Sequence, residues 1–202
     1  MEIHTVPFKH VIYKDTQLTD LCRVIYSTAI PIPYSEKLKN HTPTGDEQHH
    51  WWTGNHLESE ETEFILLVLD KIACDAFATI YKNTPGAWNF TLNESNRSST
   101  APALWPHTDD PDELMSQGVH NPGILRFILY LGDENVTYEN YGTKLYSEID
   151  KHMNQYKVEK EIPFVLGTLF MWQPGPTTLH GTDFSSGTTH RRMFISGEYV
   201  KE

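Results

Sequence analysis

The sequence predicts an α+β domain in which two helices pack against one side of a β-sandwich or barrel. Two stretches with apolar residues at helical spacing lie before residue 85. After that point the apolar residues fall into short runs bounded by turn-forming residues, which is typical of β-strands. Helices first and strands later indicate a sheet with its helices grouped on one side.

The N-terminal region predicts a short strand followed by a helix. The strand is expected over residues 1–12, with Asp15 or Thr16 then capping the helix. Prolines within residues 30–33 end this helix, because proline lacks the N–H that a helix interior requires. The apolar positions that define the helix are Leu18, Leu21, Cys22, Ile25 and Tyr26.

The second predicted helix begins at Ser59 and ends near residues 83–86, where the sequence is Asn-Thr-Pro-Gly. Ser59 is a suitable N-cap, and three glutamates follow it in the first turn, where the helix dipole favours negative charge. One continuous apolar face then follows, formed by Phe64, Ile65, Val68, Ile72, Ala73, Ala76, Phe77 and Ile80.

The remainder predicts strands and loops. Polar residues 34–58 and 93–104 are expected to be loops, and an acidic turn follows residue 109. The predicted strands cover residues 88–92, 123–131, 143–146, 167–172 and 192–200.

Composition places the chain among ordinary globular proteins. With 202 residues, 38% hydrophobic and 21% charged, one domain over residues 1–202 is expected. Neither a run of about 20 apolar residues nor a secretory signal is visible, so we expect a cytoplasmic protein that does not enter a membrane. Cys22 and Cys74 lie in helical stretches, which favours two buried free thiols over a disulfide.

The net charge of -11 argues against a nucleic-acid partner. Binding to phosphates depends largely on clustered Lys and Arg side chains, and no long basic run is present.

Three residues have the chemistry of a metal centre. His107 and Asp109 form an H-x-D triplet, and His180 follows much later. Two imidazoles and one carboxylate on one face of Fe(II) leave three positions for ligands. In an extended segment residues i and i+2 point to the same side, so the first two side chains can converge on one ion. The alternative for the triplet alone is a surface histidine beside a capping aspartate.

An arginine pair follows the distant histidine. Arg191 and Arg192 begin a strand that also carries Ser196. A guanidinium group at this position can hold a dicarboxylate through two parallel hydrogen bonds.

This arrangement resembles the 2-oxoglutarate/Fe(II)-dependent dioxygenases, and is most similar to their prolyl-hydroxylase-like branch. The resemblance rests on H-x-D, the distant histidine and the arginine-to-serine strand, and it covers about residues 86–200. Residues 123–132, which end in Tyr-Leu-Gly, are similar to the strand after H-x-D. Residues 142–146 and 167–172 are similar to later strands of that branch.

The resemblance implies a double-stranded β-helix (jelly-roll) core over residues 86–202, with helical support from residues 1–85. His107, Asp109 and His180 would bind Fe(II), with 2-oxoglutarate and O₂ as cosubstrates. Arg192 is preferred over Arg191 for the far carboxylate of 2-oxoglutarate. The other residues expected in the cosubstrate pocket are Ser196, Tyr130 and Arg126, and the alternative for Arg126 is a salt bridge at a strand edge.

The expected reaction is hydroxylation of an amino acid, a peptide side chain or a small metabolite, because the halogenating relatives lack the acidic ligand that Asp109 supplies. It would convert 2-oxoglutarate into succinate and CO₂. A cupin-like metal enzyme that does not use 2-oxoglutarate and a non-catalytic jelly-roll binding protein are the alternatives. Substrate choice is expected in residues 34–58 and 93–104, and the sequence does not indicate the oligomeric state.

Overall fold

The computed structural model describes residues 1–28, 59–95, 104–119, 122–136, 141–150, 155–182 and 192–202. Its helices are α1 (Thr16–Thr28), α2 (Ser59–Ala76), α3 (Ala78–Asn83) and α4 (Pro111–Ser116). Its strands are β1 (Glu2–His4), β2 (His10–Tyr13), β3 (Gly86–Ser95), β4 (Leu104–His107), β5 (Leu125–Leu131), β6 (Thr143–Asp150), β7 (Gln155–Ile162), β8 (Leu169–Trp172), β9 (His180–Thr182) and β10 (Arg192–Lys201).

The described strands form two sheets with jelly-roll connectivity. The large sheet has the order β1-β2-β8-β5-β10-β3, and the small sheet has the order β4-β9-β6-β7. All strand pairs are antiparallel. From β3 to β10 the described strands divide equally, four in each sheet, and the chain crosses repeatedly between the two sheets. The predicted double-stranded β-helix core is confirmed.

The large sheet separates two hydrophobic cores. One lies between this sheet and the helices, and it includes Leu18 of α1, Ile65 of α2 and Ile195 of β10. The other lies between the two sheets, where Leu145 of the small sheet packs with Phe170 of the large one. Strand periodicity produces this division, because successive side chains of a strand point to opposite faces. The predicted packing of helices against one side of the sheet is thus observed.

The predicted first helix is confirmed as α1. The Asp15 carboxylate accepts a hydrogen bond from the Leu18 backbone N–H at 2.8 Å, which makes Asp15 the N-cap rather than Thr16. Leu18, Cys22 and Ile25 are buried, as their helical spacing predicts.

The predicted second helix is divided into α2 and α3 at Phe77. This residue has φ −120° and ψ 29°, outside the helical range, and its side chain is buried. Its backbone carbonyl accepts hydrogen bonds from the N–H groups of Ile80 and Tyr81, both at 3.0 Å, at the start of α3. The helical spacing of the apolar residues continues unchanged through Phe77, so the sequence pattern does not reveal the break.

Several elements differ from the sequence expectations. The strand expected over residues 1–12 is a hairpin of β1 and β2, and Pro7, which has no N–H to donate, lies in the connection. Strands β4, β7 and β9 were not predicted, because they are short or, in β7, mostly polar. The acidic turn contains the short helix α4, capped by the Asp110 side chain. Residues 93–95 belong to β3 rather than to a loop.

Two expectations concern the cysteines and membrane insertion. Cys22 and Cys74 are both free thiols, with Cys22 buried and Cys74 only half-buried. Among the described residues, no helix is long and apolar enough to cross a membrane. Residues 34–58, expected to be a loop, lie outside the described residues.

His10 on β2 is a buried ionisable group in the inter-sheet region. Its side chain is fully buried, with the ring stacked on His4 and edge-on to Phe8 and Phe170. Nδ1 lies 2.9 Å from the Phe8 carbonyl oxygen, which can only accept, so Nδ1 carries the proton of the neutral ring. Burial, together with the nearby Lys160 and His4, lowers the pKa of His10 to about 4.

This lowered pKa predicts acid sensitivity. Below pH 6.5 the unfolded chain binds a proton at His10 that the folded chain does not, so stability falls between about pH 6.5 and pH 4. The loss attributable to His10 is about 3 kcal/mol at pH 4. Urea unfolding of the wild type and of His10→Asn, each at pH 7.5 and at pH 4, measures this loss in the free energy of unfolding. The wild type should lose about 3 kcal/mol more than the variant; equal losses would contradict the assignment.

Candidate active site

A cavity of about 500 Å³ opens between the two sheets and contains most of the predicted site residues. Its walls combine aromatic side chains with a small number of charged ones, as in many small-molecule sites. The charged and ionisable side chains in its lining are His107, Asp109, Arg126, His180, Arg192 and Glu198.

Strand pairing brings the two predicted histidine ligands together. β4 pairs with β9 so that His107 lies directly opposite His180. The centroids of the two imidazole rings are 4.4 Å apart. Asp109 follows two residues after the end of β4, in the segment that leads into α4. The triplet and the distant histidine therefore meet, as the sequence predicts.

The three side chains have the geometry of a single-ion site. One ligand atom from each of His107, Asp109 and His180 lies within 4.8 Å of the other two. His180 Nε2 and Asp109 Oδ2 are 3.3 Å apart. Two ligands at right angles around one ion, with bonds of about 2.1 Å, would be about 3 Å apart. No other such group of three occurs in the described residues.

The hydrogen bonding of His180 favours metal binding through Nε2. Its Nδ1 lies 3.0 Å from the Thr178 carbonyl oxygen, and the side chain is buried. A carbonyl only accepts, so Nδ1 donates to it, and Nε2 is the ring nitrogen left to face a metal ion. A second nitrogen bonded to a backbone carbonyl is the usual support of a metal-binding histidine. The donor set, two imidazoles and one carboxylate, therefore fits a divalent ion such as Fe(II).

Asp109 is held in its ionised form. Burial by itself would raise its pKa, but the hydrogen bond to His180 and the charges of His180, Arg126 and His107 outweigh burial. The pKa of the Asp109 carboxyl is consequently lowered to about 2. An ionised carboxylate is the form that binds a metal.

Arg192 is a buried cation in the cavity wall. It is 1% exposed, at the start of β10. Its Nε donates a hydrogen bond to the Tyr141 carbonyl oxygen at 2.9 Å, and its guanidinium carbon lies 4.5 Å from the centroid of the Phe194 ring. These contacts fix the plane of the guanidinium group. Arg191, the alternative in the sequence analysis, lies outside the described residues.

Tyr130 lies behind the cavity wall, next to Arg192 and Thr143. Its side chain is fully buried, and its hydroxyl is 2.5 Å from the Thr143 hydroxyl, which lines the cavity. Burial raises the pKa of Tyr130 despite the charge of Arg192, so the phenol stays protonated. The phenol can donate its hydrogen bond to the Thr143 oxygen, leaving the threonine hydroxyl free to donate toward the cavity.

Ser196 lines the same cavity farther along β10. It lies on the same face as Arg192, but four residues along an extended strand span about 13 Å. Its hydroxyl oxygen accepts a hydrogen bond from the Asn93 amide at 2.9 Å. This separation exceeds the width of one carboxylate, so Ser196 and Arg192 would meet different parts of any ligand.

Among the cavity-wall residues that the sequence analysis did not assign, Glu198 and Thr143 contact predicted site residues. Glu198 lies directly opposite Arg126 in the β10–β5 pairing and forms an ion pair with it at 3.0 Å. Thr143 was noted only within a similar segment, and its partnership with Tyr130 was not expected. The alternation of β10 could have revealed Glu198, since residues 192, 194, 196 and 198 share one strand face.

Comparison with solved structures relates this fold to prolyl hydroxylases. A Pseudomonas putida prolyl-4-hydroxylase has a TM-score of 0.56 and 12% identity, with 96% of this chain and 94% of that chain covered. A viral collagen prolyl hydroxylase from Paramecium Bursaria Chlorella virus-1, solved as a 2OG complex, has a TM-score of 0.50 and 12% identity, with 95% of this chain and 96% of that chain covered. A Trichoplax adhaerens prolyl hydroxylase was solved with a hypoxia inducible factor oxygen degradation domain peptide fragment. It has a TM-score of 0.58 and 11% identity, with 95% of this chain and 83% of that chain covered.

These likenesses extend over nearly the whole chain, and they show that it has the prolyl-hydroxylase fold. No family model matches the sequence, and no curated protein matches it either.

The Tyr130–Thr143 hydrogen bond predicts a non-additive mutational effect. Tyr130→Phe should lower the free energy of unfolding by about 1 kcal/mol, because a buried hydroxyl loses its partner. Thr143→Val should cost a similar amount, because the Tyr130 hydroxyl loses the same side-chain hydrogen bond. The double variant should cost clearly less than the two single costs together. Urea unfolding of the four proteins measures the coupling, and strict additivity would refute it.

Proposed function

We propose that this protein is a 2-oxoglutarate- and Fe(II)-dependent dioxygenase that hydroxylates its substrate. The observation that carries the proposal is the convergence of His107, Asp109 and His180 ligand atoms within 4.8 Å of one another, in the wall of the cavity. The fold shared with prolyl hydroxylases supports it. The reaction would convert 2-oxoglutarate, O₂ and a C–H bond into succinate, CO₂ and a C–OH group.

The three ligand residues would hold Fe(II) through His180 Nε2, one Asp109 oxygen and a His107 nitrogen. When bound, the iron supplies the redox chemistry that couples decarboxylation of 2-oxoglutarate to oxidation of the substrate. The protein fixes the ligands from two paired strands and the segment that follows one of them. Three protein ligands on one face leave room for cosubstrates, which distinguishes such a site from a closed structural one.

Arg192 would bind the far carboxylate of 2-oxoglutarate. It is buried, its guanidinium plane is fixed, and it lines the same cavity as the ligand triad. The Thr143 hydroxyl, oriented by Tyr130, would add a donor beside it. The aromatic rings of Trp172, Phe90 and Phe194 line the cavity and would exclude water from the bound cosubstrate.

We propose that residues 1–202 act as one catalytic domain, with α1 and α2 supporting the back of the large sheet. The substrate would be a small molecule or a side chain of a peptide. Support for a peptide comes from the Trichoplax adhaerens structure, which was solved with a peptide fragment. Within this proposal Ser196 would face the substrate rather than 2-oxoglutarate, because of its distance from Arg192 along β10.

Anaerobic titration of the apo-protein tests the proposal directly. Addition of Fe(II) and then 2-oxoglutarate should produce a visible charge-transfer band in wild type, and His180→Ala should produce none. Iron binding without a band would favour a cupin-like metal enzyme that does not use 2-oxoglutarate. Failure of the wild type to bind iron would overturn the proposed metal centre.

Arg192→Lys should selectively weaken 2-oxoglutarate binding. Lysine keeps the charge but cannot form two parallel hydrogen bonds to a carboxylate. Loss of one charge-assisted hydrogen bond should raise the Kd for 2-oxoglutarate about 10- to 100-fold. Equilibrium titration in the Fe(II)-loaded state measures this effect. The Fe(II) affinity of the same variant serves as the control and should stay unchanged; an unaltered Kd for 2-oxoglutarate would reject Arg192 as its ligand.

A further inference from the structure

Arg126 on β5 joins two carboxylates at the edge of the proposed metal centre. Its Nη1 lies 3.3 Å from Asp109 Oδ1, and its Nη2 lies 3.0 Å from Glu198 Oε2. The three side chains are 26%, 15% and 31% exposed, so their interactions are screened less than those of a surface ion pair. One guanidinium group thus connects a metal-ligand residue to the neighbouring strand.

The two oxygens of Asp109 have different surroundings. Oδ2 lies 3.3 Å from His180 Nε2, on the side where the three ligand atoms converge. Oδ1 is the oxygen that contacts Arg126. Asp109 lies outside any strand or helix, between the end of β4 and the start of α4. Strand pairing therefore does not restrain its side chain directly, and Arg126 provides a restraint from β5.

Arg126 is itself held from a second strand. Glu198 lies directly opposite it in the β10–β5 pairing. The same Glu198 oxygen also accepts a hydrogen bond from the Gly123 backbone N–H at 3.2 Å. A Cβ at Gly123 would lie 2.3 Å from Glu198 Cβ, so only glycine allows this approach. The result is a continuous chain of contacts from Gly123 through Glu198 and Arg126 to Asp109.

We propose that Arg126, held by Glu198, is a positioning residue of the metal centre that fixes Asp109 so that Oδ2 alone faces the ion. This inference rests on the proposed function, because it assigns a purpose to Arg126 only if Asp109 binds the metal. The fork of a guanidinium group can reach two carboxylates at once, whereas an ammonium group is a single compact charge. The geometry of Arg126, and not only its charge, is therefore what the metal centre requires.

The test compares metal binding by apo-protein variants, with Co(II) as the probe. Arg126→Lys keeps the positive charge and removes the fork, so it should weaken Co(II) binding by roughly 10- to 100-fold, the usual cost of losing a residue that orients a metal ligand. Isothermal titration calorimetry measures the affinity, and the visible absorption of bound Co(II) reports the ligand geometry. Both readouts are independent of turnover.

A second variant separates positioning from electrostatics. Arg126→Met removes a positive charge beside a cation site, so charge alone would strengthen Co(II) binding. Loss of positioning would instead weaken binding and change the Co(II) spectrum. Glu198→Gln should weaken binding less, and should have little added effect in the Arg126→Met background, because both act through one chain of contacts.

Arg23 provides a matched control. It also joins two carboxylates, Asp20 at 2.5 Å and Glu134 at 2.7 Å, but on an exposed surface outside the cavity. Arg23→Met should bind Co(II) like the wild type.

The outcomes separate the two proposals. If the wild type and Arg23→Met bind Co(II) and both Arg126 variants bind it more weakly with altered spectra, positioning is supported. If both Arg126 variants keep wild-type affinity and spectrum, or Arg126→Met binds more tightly, positioning is overturned while the metal centre stands. If the wild type binds neither Co(II) nor Fe(II), the metal centre and the positioning role fall together. Should Arg126→Met fail to fold, Arg126→Lys and Glu198→Gln decide.

Discussion

The site depends on the antiparallel pairing of β4 with β9. This pairing sets His107 directly opposite His180, although the two lie far apart in sequence. A shift of one residue in either strand would turn one imidazole to the opposite face. The pairing with β6 on the other side of β9 holds this register, because Leu145 of β6 lies opposite His180 and is fully buried between the sheets. Packing in the inter-sheet core thus fixes the geometry of the two proposed metal-binding histidines.

Strand β10 connects the site to the rest of the fold. On one face, Met193 and Ile195 pack into the core beneath the helices. On the other face, Arg192, Ser196 and Glu198 line the cavity. The helices contribute no residue to the cavity lining among the described residues, but their core holds the back of this strand. One face of β10 therefore packs against the core that supports the strand, and the opposite face carries the side chains of the cavity.

The charges of the cavity are arranged in pairs that offset the cost of burial. Asp109 lies between His180 and Arg126, and Arg126 lies between Asp109 and Glu198. An isolated buried charge would be costly, whereas a partner of opposite charge at about 3 Å offsets part of that cost. Arg192 has partners of another kind: its guanidinium group donates to the Tyr141 backbone carbonyl and packs on the face of the Phe194 ring.

The sequence by itself determined the fold class, the first helix and the residue types of the proposed metal centre, because these depend on local periodicity and on a short motif. The tertiary structure alone decided the break at Phe77, the unpredicted strands β4, β7 and β9, and the partners that Thr143 and Glu198 contact. Most of these features arise from partners distant in sequence, whereas β7 pairs with the preceding strand β6 and its polar sequence concealed it. The spacing of apolar residues indicates which face of a strand is buried, but not which strand pairs with it. The contacts of Arg126 depend on that pairing, because Glu198 lies opposite it on β10.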